Sequence, residues 1–287
     1  MRVLWTALWL LPTALFAQPS WHASADHGPA RLELFHAIIM ADLPTTETLE
    51  RGDLHYEISH RFHPPVKEGY DANYGLDGPV SMRTSLSYGL RDRITVTLGR
   101  SNVLDNLDLQ IKYRWLERPD PRLPAALAVN AGVAWSTEIP ALVDRGRLAA
   151  DNFQYYVQAI GNALLLDGRL GLGLVPSYLY NSTLFSVKRQ YTLTLGTYAQ
   201  YYLNDTWGIW GEYSPVLSGY QGILAPGEAG RSHDSLALGL SIETGGHVFY
   251  LFTTNSTRLN PAQYLVGAPD GAAPSHWRLG FGITRYL

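Results

Sequence analysis

Residues Val80–Arg100 read VSMRTSLSYGLRDRITVTLGR. Val80, Met82, Leu86, Tyr88 and Leu90 take alternate positions, with Thr84 the one break, and Ser81, Arg83, Ser85, Ser87 and Gly89 fill the gaps. After Arg91-Asp92-Arg93 the alternation resumes, with Ile94, Val96 and Leu98 set against Thr95, Thr97 and Gly99. A period of two means extended chain with neighbours on opposite faces. Two such runs around a short turn predict a hairpin. Which face is buried decides the fold. In a soluble sheet the apolar face packs on a core, whereas in a membrane barrel it meets lipid and the polar face lines the lumen.

The pattern repeats along the chain. Leu54, Tyr56, Ile58 and Phe62 oppose Asp53, His55, Glu57, Ser59 and Arg61; Leu107, Leu109, Ile111, Tyr113 and Trp115 oppose Asp108, Gln110, Lys112 and Arg114. Further runs lie near 127–135, 153–158, 170–180, 191–201, 207–213, 236–243, 248–254 and 277–283, which makes twelve in all. The run at 248–254 is apolar on both faces. Short turn-like links (RDR, ERPDPR, DG, ND, TGG) alternate with longer ones at 64–79, 137–151, 181–190, 215–232 and 256–275; the link near Asn102 is short where a long one is due. That rhythm fits periplasmic turns and extracellular loops. With alternating strand directions, Tyr56, Tyr88, Tyr113, Trp115, Tyr201 and Trp207 fall at the inner end, and Phe62, Trp135, Tyr155, Tyr178, Tyr191, Tyr213, Phe252 and Trp277 at the outer end, as two aromatic girdles. The predicted fold is all-β: a transmembrane antiparallel up-and-down β-barrel of about twelve strands.

Composition agrees. Charged residues make up 16% of the 287, against an ordinary value of about 25%, and there are 18 Tyr and 8 Trp. Beyond the N-terminus no apolar run is long enough for a membrane helix, a test that a barrel escapes by alternation. A formal charge of −3 gives no case for nucleic-acid binding. With no cysteine there is neither a disulfide nor a lipoprotein anchor. Met1–Ala17, MRVLWTALWLLPTALFA, reads as a signal peptide, so the expected location is the outer membrane of a Gram-negative cell. The expected organisation is signal peptide 1–17, N-terminal leader or plug 18–50, and barrel 51–287. The expected partners are outer-membrane lipid, the barrel-insertion machinery and small polar solutes.

At YEISHRFH (56–63), YGLDG (74–78), YGLRDRITVTLGRS (88–101) and LDLQIKYR (107–114) the chain resembles a bacterial family of predicted outer-membrane β-barrel proteins with no established activity. The resemblance is strongest over about 47–140, and family members often carry Gly where this chain has His63. It implies a barrel and no reaction.

By parity, the side chains expected to line the pore are Glu57 and Arg61, Arg83, then Asp108, Lys112 and Arg114, and finally Glu212, Glu243 and Arg278. Both signs are present. They suit a salt-bridged interior that closes the lumen or a polar conduit whose basic rows attract anionic solutes. The expected function is therefore passive passage of small polar or anionic solutes, or a structural barrel with a closed lumen. Two alternatives stand beside it. The Ser59-His60 pair and SHDS at 232–235 leave room for an outer-membrane lipid hydrolase, although sequence adjacency does not place a base within reach of a nucleophile. A secreted β-sandwich that binds a ligand is the other. No metal-ligand spacing and no cofactor motif are evident.

Overall fold

The computed structural model describes residues 32–225 and 228–287. The signal-peptide reading (1–17) and residues 18–31 of the leader lie outside the described residues. The hairpin at Val80–Arg100 sets the orientation of the sheet. Leu86 is 46% exposed and Ile111 49%, whereas Arg83 is 2% and Lys112 6% exposed. Apolar side chains therefore point away from the cylinder and charged ones into it, as a barrel in lipid requires.

The strands are β1 (Leu54–Phe62), β2 (Val80–Arg91), β3 (Ile94–Ser101), β4 (Asn106–Arg118), β5 (Ala125–Ser136), β6 (Phe153–Leu165), β7 (Leu170–Tyr180), β8 (Tyr191–Tyr202) and β9 (Trp207–Ser214). They continue as β10 (Val216–Gly219), β11 (Ser235–Glu243), β12 (His247–Thr254) and β13 (Arg278–Tyr286). Each barrel strand pairs antiparallel with its neighbours, β1 zips to β13, and β9 joins β8 to β11, so twelve strands close the cylinder. Closure removes the sheet edges that would otherwise leave peptide groups unpaired in lipid. All twelve predicted runs are barrel strands. The additional β10 lies within the predicted 215–232 loop: beyond Pro215 the chain re-pairs with β8 across a register shift.

Short turns gather at the end where His55 meets Tyr286, and the long links gather at the other. The short link after β3 is a turn with Leu104 and Asp105 at positive φ. His60 stacks on the Phe281 ring at 4.4 Å on the outer face, and the β1 registers on both sides are unbroken. Two expectations need correction. Phe252 does not belong to the lipid-facing girdle: it is 5% exposed, 5.3 Å from Trp210, and lies beneath the Arg61 guanidinium. Since both faces of 248–254 are apolar, parity could not be read there, and inside packing decides it. The 256–275 link is not simply an external loop. Residues Arg258–Ala268 are buried and turn back into the barrel through a helical turn at Pro261–Tyr264.

Candidate functional site in the barrel lumen

The lumen is filled from both ends. From the short-turn end comes Leu32–Leu49, whose tip is a tight hairpin. Met40 N donates to Leu43 O (2.9 Å), Thr45 N donates to Ile38 O (3.1 Å), and Ile39 bridges Pro44. Residues 40–49 are all buried. Between 32 and 50 the chain carries Glu33, Asp42, Glu47 and Glu50 and no lysine or arginine, so the segment is an acidic insert in a wall that carries both signs of charge.

Wall charges grip the backbone of this plug. Glu212 on β9 accepts from Ala41 N (3.0 Å), Asp42 N (3.1 Å) and Leu43 N (3.3 Å). On β4, the Lys112 ammonium donates to three carbonyls, of Ile38 (2.6 Å), Thr45 (3.0 Å) and Glu47 (3.1 Å). Arg61 on β1 pairs with Asp42 (2.9 Å) and donates to Ala41 O (3.0 Å). Arg114 on β4 pairs with Glu47 (3.0 Å) and Glu117 (3.1 Å) and donates to Leu32 O (2.6 Å). The tight turn at 40–43 bunches the amides for one carboxylate, and its two arms offer carbonyls to one ammonium. Charge-assisted bonds of this kind are about twice as strong as neutral ones, and they satisfy peptide groups that would otherwise be buried unpaired.

Apolar packing completes the seat. Phe35 lies edge-on to Tyr198 at 5.4 Å, and Leu34, Phe35, Met40 and Leu43 join Tyr156, Val175, Trp210 and Tyr250 of the wall in one buried cluster. Two wall glycines make room for the plug: a Cβ at Gly171 would sit 2.7 Å from the Phe35 ring, and one at Gly196 2.6 Å from Leu43. Those distances are too short for carbon on carbon. Gly196→Val therefore expels the tip, and Leu43→Ala in the same chain readmits it. The expected reading is at least tenfold faster proteolysis within residues 36–49 for the single variant, restored to near the parent rate in the double. Equal rates in all three would show that Leu43 does not rest on Gly196.

Beside the plug runs a polar belt. Arg83 on β2 bridges Glu57 (3.1 Å) on β1 and Asp108 (2.9 Å) on β4, Gln110 donates to Asp108 (2.6 Å), and Asn130 links Gln110 (3.0 Å) to Gln158 (3.1 Å). From the long-loop end, the inward turn docks on this belt. Tyr264 meets Gln158 (3.1 Å), Asn260 meets Asn106 (2.7 Å), and Gln263 donates to Val103 O (3.0 Å). Arg258 pins the turn through Glu228 (2.9 Å), Gly267 O (2.7 Å) and Gly222 O (3.1 Å).

The nine residues predicted to line a pore thus divide three ways. Glu57, Arg83 and Asp108 form the belt. Arg61, Lys112, Arg114 and Glu212 hold the plug. Glu243 pairs with His36 at the short-turn rim, and Arg278 pairs with Asp270 (2.7 Å) at the long-loop rim. Sequence reading missed the aromatic residues that build the apolar half of the lumen: Tyr156, Tyr198 and Trp210, which share the polar parity, and Tyr250, on the strand apolar on both faces. Their signal was present as large side chains interleaved with small ones such as Gly171, Gly173 and Gly196.

The serine–histidine arrangements do not assemble a triad. Ser59 turns inward and accepts from Arg61 (2.8 Å), while His60 faces outward. Ser232 Oγ donates to Val266 O (2.5 Å). At the long-loop mouth His63 Nε2 and Ser81 Oγ lie 2.8 Å apart beside a hollow of about 550 Å³. Ser81 is 1% exposed, and among the described residues no carboxylate hydrogen-bonds His63. Burial and the nearby Arg278 charge push the His63 imidazole below its usual pKa. Among the described residues no three metal-ligating side chains come together.

A closed cylinder with a greasy exterior, a charged interior and a chain segment folded into its bore defines a membrane-spanning β-barrel protein. The chain belongs to the family described as membrane bound beta barrel domain (DUF5777), which matches residues 35–287 and so includes most of the plug. No curated protein matches the sequence. Among solved structures, the chain is similar to the NanC porin (10% identity, TM-score 0.48, covering 82% of this chain and 99% of that one). It is also similar to the COG4313 outer membrane channel from Pseudomonas putida F1 (13%, 0.49, 84% and 98%). A third similarity is to LpxR from Salmonella typhimurium (10%, 0.39, 82% and 100%). These likenesses are of barrel architecture alone.

Proposed function

We propose that this protein is an outer-membrane channel, closed at rest, that passes small anionic solutes when the N-terminal plug leaves the lumen. In this reading the short turns face the periplasm, and the chain performs no catalysis. The observation that carries it is the grip of Lys112 and Glu212 on plug backbone, which holds a segment threaded into the bore and not a strand of the wall. Withdrawing the plug takes Asp42 and Glu47 out of the bore and leaves their partners Arg61 and Arg114, with Lys112 and Glu212, facing solvent. Losing the two plug carboxylates makes the lumen more basic by two charges, which favours anions as basic rings do in other pores.

Planar-bilayer recording tests this. The parent barrel is expected to be silent, and deletion of residues 32–47 to give conductance steps with an anion-selective reversal potential. Protein that stays folded and silent after the deletion would leave a purely structural barrel. Steady conductance from the parent would mean that the plug does not stay in place in a membrane.

A further inference from the structure

The outer wall carries a groove that the lumen does not explain. Five register pairs, Ala126–Asn162, Asn162–Gly173, Gly173–Tyr198, Tyr198–Glu212 and Glu212–Ala237, draw one line across β5, β6, β7, β8, β9 and β11. Side chains on that line turn inward, several of them onto the plug. Their neighbours face lipid, and many are small: Gly161, Ala163, Ala199 and Gly211. Leu127, Leu172, Leu174 and Leu238 stand along the sides, so the surface is indented by about 830 Å³. Ordinary ligand pockets hold about 300–1,000 Å³.

The groove also has a polar end. It begins at Arg118, the last residue of β4 at the short-turn rim, and rises to Leu236 near the long-loop end of β11. From β4 to β11 it crosses six strand gaps of ~4.8 Å, about 29 Å along the wall. One leaflet contributes half of a ~30 Å hydrocarbon core, about 15 Å, so an acyl chain fits along it. The Arg118 side chain is 61% exposed, and its partner, Asp120 at 2.8 Å, sits in the same turn. An exposed pair of this kind is weak, and a phosphate can compete for the guanidinium.

We propose that this groove binds one anionic phospholipid of the inner leaflet, with an acyl chain along the Gly161–Ala199 floor and its phosphate on Arg118. This rests on the periplasmic placement of the short turns given above, and it is independent of whether the plug moves. The test is native mass spectrometry of the full chain after detergent exchange, with phosphatidylglycerol and phosphatidylethanolamine supplied in equal amounts. The parent is expected to keep one phospholipid, preferentially phosphatidylglycerol. Gly161→Leu with Ala199→Leu fills the floor, and a Cβ at Gly161 is compatible with its nearest neighbour, Leu127, at 3.4 Å. Heat-modifiable migration confirms that this variant folds, and its lipid occupancy is expected to fall at least tenfold. Arg118→Gln is expected to keep the lipid and lose the headgroup preference. Equal occupancy in parent and filled variant would overturn the proposal, as would lipopolysaccharide retained in place of phospholipid. So would a dimer that the filled variant abolishes, which would make a second copy the occupant.

Discussion

Arg83→Met is expected to cost the barrel about 3–5 kcal/mol, because it leaves two buried carboxylates without their shared cation. Glu57 and Asp108 both close on Arg83, and all three side chains are less than one-tenth exposed. The bridge runs from β2 over β3 to β4, and β3 offers a bare position for it: a Cβ at Gly99 would collide with the Arg83 guanidinium and the Asp108 carboxylate. Urea unfolding in lipid vesicles, followed by the heat-modifiable gel shift, reads the effect. Replacing all three charges together (Glu57→Gln, Arg83→Met, Asp108→Asn) is expected to recover most of the loss, since a neutral set carries no desolvated charge. A loss below about 1 kcal/mol from Arg83→Met alone would mean that water screens the triad and that the bore is wet there.

Lys112→Met removes the ammonium that three plug carbonyls share, and is expected to free the plug while leaving the wall folded. Ile38 O keeps the Thr45 amide, so the carbonyls of Thr45 and Glu47 are the ones that lose this donor, and each buried acceptor left without its donor costs about 1–3 kcal/mol. A total near 3 kcal/mol corresponds to roughly a hundredfold rise in the open population, at 1.4 kcal/mol per factor of ten. Hydrogen exchange of the amides at 41–43 and 45–46 should accelerate by about that factor, while the β4 and β5 amides keep their protection. Their ladder does not involve the Lys112 side chain. Unchanged exchange at 41–46 would show that Glu212, Arg61 and the aromatic packing suffice without Lys112.

The wall was legible because lipid imposes a strict rule on every second residue. Leu86, Val96 and Ile111 could not face inward beside Arg83 and Lys112 without stranding charge in hydrocarbon. The contents of the bore were much less so. HAIIMADLPTTETLE, residues 36–50, has no long period because it is neither strand nor helix; its structure is set by contacts to distant strands, β4, β6 and β9 among them, which local pattern does not encode. The same holds for Asn255–Ala268, whose polar residues resemble those of any surface loop until Asn106 and Gln158 appear as partners. The lumen-facing charges were identified by parity, but parity cannot say whether a charge meets water or a peptide group.

The plug is not a separate molecule. Leu49 is followed by the turn at Arg51-Gly52, fastened by Gly52 N to Gly89 O (2.8 Å), and then directly by β1. A short tether of this kind holds its cargo at an effective concentration of millimolar order. On the proposed function, each release would be followed by recapture within the same molecule, at a rate that dilution of the protein does not alter. In the proposed channel the plug would behave like a hinged door, and the fraction of time spent open would be an intrinsic constant of each barrel.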